Sequence, residues 1–132
     1  MNHIGTKVML IKKERPAWQK GRMNGIGGHI EEGETALEAM IREFREETGV
    51  HLETWTEYCT LKGEEFILHV FMAYAPMEIL EQCTSMTDEE VMLIPIALIQ
   101  HHSPLPNLKW LIPMALSMEH DRATSFNIQE MY

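Results

Sequence analysis

Glu43, Glu46 and Glu47 stand at i, i+3 and i+4. On a helix this spacing puts all three carboxylates on one face, where like charges repel and weaken a bare helix. Two readings fit that pattern. One is a solvated acidic face, the usual meaning of a charge run. The other is a site for a hard divalent cation such as Mg²⁺, which prefers oxygen ligands in near-octahedral geometry and would in turn attract phosphates. No Ser, Cys or His triad is evident. Cys59 and Cys83 form no C-x-x-C pair and have no His at metal spacing, so two reduced thiols are expected rather than a disulfide framework or a zinc site.

The element that must carry the glutamates is well marked. Thr35 to Thr48 predicts a helix, with Thr35 and Glu38 in a capping-box pattern and Gly49 as the C-terminal stop. Leu37, Met40, Ile41 and Phe44 fall at i, i+3, i+4 and i+7 and predict a buried stripe, largely on another face from the glutamates. Around this helix, Thr6–Ile11 predicts a buried strand. Lys12–Gly25 reads as a basic loop broken by Pro16 and Gly21. Gly27-Gly28 is a turn, and His29-Ile30 a short strand ahead of the acidic turn Glu31–Glu34. His51–Lys62 and Glu65–Ala75 predict two strands, the second apolar enough to be central. Residues 76–90 read as a loop. Val91–Leu98, with Pro95 inside, predicts an edge strand or a strand and turn. A second helix is expected from Asn107 or Leu108 to His120, or from Pro113, where a first-turn proline is tolerated. The tail after Asp121 is weakly specified. The expected fold is a single α+β domain over residues 1–132, layered as α/β/α.

The chain has 132 residues and a net charge of −9. That length supports one domain with a proper core. Its acidity argues against a nucleic-acid polymer or an anionic membrane as partner, while a small anion bridged by a cation stays open. The charge is uneven: residues 1–28 carry six Lys and Arg against one Glu, whereas residues 29–50 carry seven Glu against two Arg. A basic loop therefore runs directly into the carboxylate cluster. No stretch approaches a membrane span and the first residues do not read as a signal peptide, so the expected location is cytoplasmic.

Gly28, Glu34 and the run Arg42-Glu43-Phe44-Arg45-Glu46-Glu47-Thr48-Gly49-Val50 match G-x5-E-x7-R-E-U-x-E-E-x-G-U over residues 28–50. This resembles the Nudix box, with Phe44 at a position that is usually aliphatic. The resemblance implies a Nudix-type α/β/α sandwich with a mixed central sheet, and hydrolysis of a nucleoside diphosphate linked to another moiety with Mg²⁺ or Mn²⁺. It implies metal binding by Glu46 and Glu47, with Glu43 binding metal or helping to activate water. Arg42 would orient a glutamate by an ion pair, and Glu34 would support the site. The Gly27 carbonyl is a further expected metal ligand. Glu89, from Thr87-Asp88-Glu89-Glu90, is the candidate ligand outside the box.

Gly21–Gly28 (GRMNGIGG) resembles the G-[KR]-W-N-G-x-G-G segment of the MutT-like, nucleoside triphosphate branch, which includes hydrolases of oxidised purine nucleotides. Asn24 is thereby the candidate for base recognition, or else an ordinary turn asparagine before glycine. Trp110, in a segment similar to W-x-P-L-L, is the candidate stacking residue, or else a core tryptophan. Pro106 and Asn107 stand near an acidic pair of the oxidised-purine enzymes, which makes Asn107 a substrate-binding candidate and departs from that pattern. Lys12, Lys13, Arg15, Lys20 and Arg22 serve solubility singly or lie near a triphosphate as a group, with Arg22 the residue carried forward for substrate. Trp18, in the same loop, is a possible cover for the base. The implied reaction converts a (deoxy)nucleoside triphosphate, such as 8-oxo-dGTP, to the monophosphate and pyrophosphate. Other Nudix substrates (dinucleoside polyphosphates, ADP-ribose, nucleotide sugars, capped RNA) and a non-catalytic nucleotide-binding regulator are the alternatives. A monomer or homodimer is expected.

Overall fold

The computed structural model describes residues 7–117 and, for the main chain, residues 124–131. Its elements run β1 (Lys7–Lys12), a 3-10 turn (Ala17–Gln19), β2 (Met23–Asn24), α1 (Ala36–Thr48), β3 (Thr56–Lys62), β4 (Ile67–Tyr74), α2 (Met77–Leu80), β5 (Glu90–Pro95), a second 3-10 turn (Ile96–His102), α3 (Leu108–Ser117) and β6 (Thr124–Met131). Two sheets form, ordered β2-β1-β5 and β3-β4-β6. The ladders β1–β2, β1–β5, β3–β4 and β4–β6 are antiparallel, and Met23 and Pro104 form a parallel bridge. β1 lies alongside β6, which brings the two sheets together.

The layering follows from the two-residue period of a strand. Val8 and Leu10 of β1, with Leu68, Val70 and Met72 of β4, join Leu108, Leu111, Ile112 and Ala115 of α3 in one cluster. The alternate residues Met9 and Ile11 of β1, with Phe71 and Ala73 of β4, join Met40 and Phe44 of α1 in another. One helix therefore covers each face of the strand layer, and the expected α+β sandwich forms.

Several elements differ from the sequence reading. α1 begins and ends as expected: Thr35 accepts from the Glu38 amide, Glu38 returns a bond to the Thr35 amide, and Gly49 closes the helix at φ 79°. Its buried face, however, is Ala39, Met40, Phe44 and Thr48. Leu37 stands in the first turn and remains 40% exposed. At 3.6 residues per turn Glu47 points within about 20° of Met40, so the glutamates border the core stripe instead of opposing it. The strand expected from His51 begins only at Thr56, because Trp55 folds inward, packing edge-on against Phe44 at 5.0 Å and donating Nε1–H to the Leu52 carbonyl. The 76–90 loop holds the four-residue helix α2, anchored by buried Leu80. α3 starts at Leu108 and carries Pro113 inside it; the N–H that proline lacks would have met the carbonyl of exposed Lys109. The weakly specified tail contains β6, which pairs with β4 along its whole length and makes β4 central. The part of the second helix expected over residues 118–120 lies outside the described residues. No helix among the described residues is long and apolar enough to cross a membrane.

Candidate active site

Arg42 organises the site. Its Nε donates to Glu34 Oε2 at 3.1 Å and its Nη2 to Glu34 Oε1 at 2.6 Å, a two-pronged carboxylate grip that only a guanidinium provides. Nη1 reaches Glu43 Oε1 at 2.9 Å and Glu46 Oε2 at 3.4 Å, while Nη2 also bonds the His29 carbonyl at 3.0 Å. One side chain thus ties the acidic turn, the 29–30 segment and α1 together. The bonds from Arg42 hold the Glu34 carboxyl below its ordinary range, and the same partners keep Arg42 firmly charged.

Glu43 is enclosed further by backbone. A Cβ built on Gly28 would lie 2.5–2.8 Å from the Glu43 carboxylate atoms, so the first glycine of the box is the space that the carboxylate occupies. Burial pushes the Glu43 carboxyl up in spite of Arg42, and repulsion from Glu46 and Glu47 adds to it. Glu47 is raised in the same way, by burial first; a hydrogen bond from Thr87 Oγ1 at 3.0 Å and the nearby Lys13 oppose the shift, while Glu89 and Glu46 reinforce it.

Glu89 is 4% exposed and sits at the far wall. Lys13 Nζ meets its Oε1 at 3.1 Å, and the backbone N–H groups of Glu14 and Arg15 meet its Oε2 at 2.7 and 3.3 Å. Burial alone would raise this carboxyl, but the Glu14 amide and Lys13 outweigh it and the net shift is downward. Arg15 extends outward to pair with Asp88.

A cavity of about 300 Å³ opens beside these groups, lined by Lys13, Arg15, Gln19, Asn24, Gly27 and Glu89, with Gly28 and His29 among its other walls. The expected residues Asn24, Gly27 and Glu89 are therefore brought together, next to Glu43 behind Gly28. Arg22 is turned elsewhere, its Nη2 bonding the Pro104 carbonyl at 3.0 Å. Trp110 lies on α3, 43% exposed, and is not a buried core tryptophan. Asn107 precedes α3; its carbonyl accepts the Leu111 amide and its Oδ1 is buried with no partner. Neither Trp110 nor Asn107 lines the cavity. Trp18 is 68% exposed on the 3-10 turn whose Gln19 does line it. Buried Gln19 was not foreseen, since a lone glutamine in a polar loop carries no distinguishing pattern. Thr87 was legible only as a neighbour of Glu89, and its bridge to Glu47 depends on how β5 approaches α1.

The donor set suits a hard cation. Glu43, Glu46, Glu47 and the Gly27 carbonyl offer oxygen alone, and Glu43 and Glu47 are half-buried carboxylates under mutual repulsion that a positive ion would relieve. No three His, Cys, Asp or Glu side chains among the described residues already converge as a ligand group; Arg42 and Thr87 hold these carboxylates instead.

Comparison with known proteins agrees with this arrangement. The family model described as NUDIX domain matches residues 3–113. An uncharacterized Nudix hydrolase of Bacillus subtilis (strain 168), YvcI, is 41% identical over 46 residues, which cover 35% of this chain and 27% of that protein. The aligned stretch thus spans about a quarter of the curated relative's length. No solved structure matches significantly. With a match that runs through most of its length and a box whose polar residues converge on one arginine, the chain belongs to the Nudix domain family.

Proposed function

We propose that this protein is a divalent-cation-dependent hydrolase that cleaves a (deoxy)nucleoside triphosphate to its monophosphate and pyrophosphate. The observation that carries this reading is the cavity lined jointly by Asn24, Lys13, Arg15 and Gly27, directly beside carboxylates braced by Arg42. A triphosphate needs cationic walls on one side and oxygen donors for its counter-ion on the other.

Glu46, Glu47, Glu43, Glu89 and the Gly27 carbonyl are the groups that would hold Mg²⁺, with Mn²⁺ as substitute. Once bound, the cation would screen phosphate charge and ease deprotonation of a water. Glu43 supplies a carboxylate, placed by Arg42, that would bind the cation or help to activate that water. Arg42 and Gly28 fix where the Glu43 oxygens stand. Lys13 and Arg15 line the cavity with positive charge, Lys13 paired with Glu89 and Arg15 with Asp88. Asn24 Oδ1 accepts the Gly25 amide at 2.9 Å, which leaves Nδ2 to donate to an acceptor on the base. The site would work in a soluble protein on a free nucleotide.

The absence of an acidic pair at Pro106 and Asn107 speaks against an oxidised purine such as 8-oxo-dGTP and leaves a second reading, hydrolysis of another nucleoside diphosphate derivative. The test is chromatographic detection of the nucleotide products formed with Mg²⁺, with pyrophosphate measured for the triphosphates, over a panel of (deoxy)nucleoside triphosphates, their 8-oxo forms, dinucleoside polyphosphates, ADP-ribose, nucleotide sugars and capped RNA. Glu46→Gln should lower turnover by at least roughly 10²-fold without loss of fold. Turnover of only the diphosphate-linked compounds would move the assignment to the second reading. No metal-dependent turnover on the whole panel would leave a non-catalytic nucleotide binder.

A further inference from the structure

Lys13 follows directly on β1 and points its ammonium into the acidic side of the cavity. Its Nζ lies 3.1 Å from Glu89 Oε1, with the two side chains 18% and 6% exposed. Thr87 couples this pair to α1: its Oγ1 accepts the Glu89 amide at 3.1 Å and donates to Glu47 Oε2 at 3.0 Å. Lys13 therefore contacts the Glu89 carboxylate and lies near that of Glu47, which is held by the same Thr87 hydroxyl that accepts the Glu89 main-chain amide. The charge of Lys13 offsets the repulsion that Glu89 exerts on Glu47. The same side chain lines the cavity together with Arg15, Asn24, Gly27 and Gly28.

Two details make the ammonium exchangeable. The loop does not depend on it, because the Glu14 and Arg15 amides hold Glu89 Oε2 by main-chain bonds. An ammonium is also a compact charge on a four-carbon stem, without the fixed fork of a guanidinium, so it can move by side-chain rotation alone.

We propose that Lys13 is a resident counter-ion of the Glu47–Glu89 carboxylates, displaced by the divalent cation and thereby released into the cavity toward the phosphates of the nucleotide. This rests on the reading that the box carboxylates hold a cation. Its consequence is that cation and nucleotide bind cooperatively: the cation frees a positive charge for the anion, and the anion gives that charge a destination.

Two measurements test it. In the wild-type protein, limited acylation of lysines is mapped by mass spectrometry with and without Mg²⁺, using the exposed Lys12 and Lys20 as internal references. Acylation of Lys13 should rise on adding Mg²⁺ while the references stay constant; no change at saturating Mg²⁺ overturns the proposal. Separately, Mn²⁺ affinity is measured by electron paramagnetic resonance without nucleotide. Lys13→Met should tighten Mn²⁺ binding by roughly tenfold, since a competing positive charge is gone, and Lys13→Arg, which keeps that charge, should not tighten it. Unchanged or weaker Mn²⁺ binding by a folded Lys13→Met protein also overturns it. If Lys13→Met does not fold, the labelling result decides. If the wild type takes up no Mn²⁺ at all, the cation reading of the site falls as well. If Mn²⁺ binds but neither Lys13 readout moves, only the counter-ion role falls.

Discussion

Replacing Arg42 by lysine keeps the charge and removes the fork. In the structure Arg42 makes two bonds to Glu34, one each to Glu43 and the His29 carbonyl, and a longer one to Glu46. A lysine ammonium has three donors but cannot span Glu34 in two-pronged fashion while also reaching Glu43 and His29. About two charge-assisted bonds are lost, each worth about 1.5–3 kcal/mol when the partner stays buried. The partners are only mostly buried, with Arg42 24%, Glu34 16% and Glu43 13% exposed, so water recovers part of that. The expected cost is about 2–3 kcal/mol, which for a domain of this size is a fall in Tm of roughly 6–12 °C. Metal-dependent turnover should drop by roughly 10–100-fold, the usual effect of losing a group that orients ligands. Urea unfolding and thermal melts measure the first, and initial rates at saturating Mg²⁺ the second. Glu34→Gln should be strongly non-additive with Arg42→Lys, because both break one network. An Arg42→Lys protein within about 0.5 kcal/mol of wild type, with turnover unchanged, would refute the view that Arg42 braces the site.

Gly28→Ala should leave the fold intact and cut turnover by at least roughly tenfold, because the new methyl occupies the position of the Glu43 carboxylate and forces it off Arg42; rates and melts measured together separate the two effects. Without metal, stability should peak at mildly acidic pH. Glu43 and Glu47, raised by burial, stabilise when protonated, and that contribution is lost as pH rises through their folded values. Glu34, lowered by Arg42, and Glu89, lowered by its donors, stabilise when ionised, and theirs is lost as pH falls through their folded values. Melts in EDTA should therefore show a decline toward neutral pH that Mg²⁺ removes; a steady rise in EDTA from roughly pH 5 to 8 would contradict the assignment. Thr35→Ala should cost about 1 kcal/mol in urea unfolding, since Thr35 caps the Glu38 amide.

The elements most legible in sequence were those encoded locally. The cap at Thr35, the stop at Gly49 and the apolar run of β4 each depend on residues close together in the chain, and each formed. Leu37 matched the helical period and still stayed exposed, because periodicity gives the angle of a side chain and not whether anything lies opposite that turn. β6 was missed although Phe126 and Ile128 alternate with polar residues, since a short alternating stretch acquires meaning only beside a partner such as β4. Within the site, the box spacing carried Glu43, Glu46, Glu47 and Arg42. The pairing of Lys13 with Glu89 joins residues 76 apart and has no local signature.

Asn24 lines the cavity and Glu43 stands behind its Gly28 wall, but the two hang from different supports. β2 is two residues long and is gripped from both sides: it pairs with β1, while Met23 exchanges main-chain bonds with Ser103 and Leu105 at 3.1 and 2.9 Å and Arg22 holds the Pro104 carbonyl. The glutamates ride on α1, seated by Met40 and Phe44 in the other core cluster. Mutations in the 103–105 segment or at the start of α3 can therefore reshape the Asn24 wall of the cavity while leaving the carboxylates undisturbed. Under the proposed function, substrate range can drift through one joint while the carboxylate site is inherited unchanged through the other.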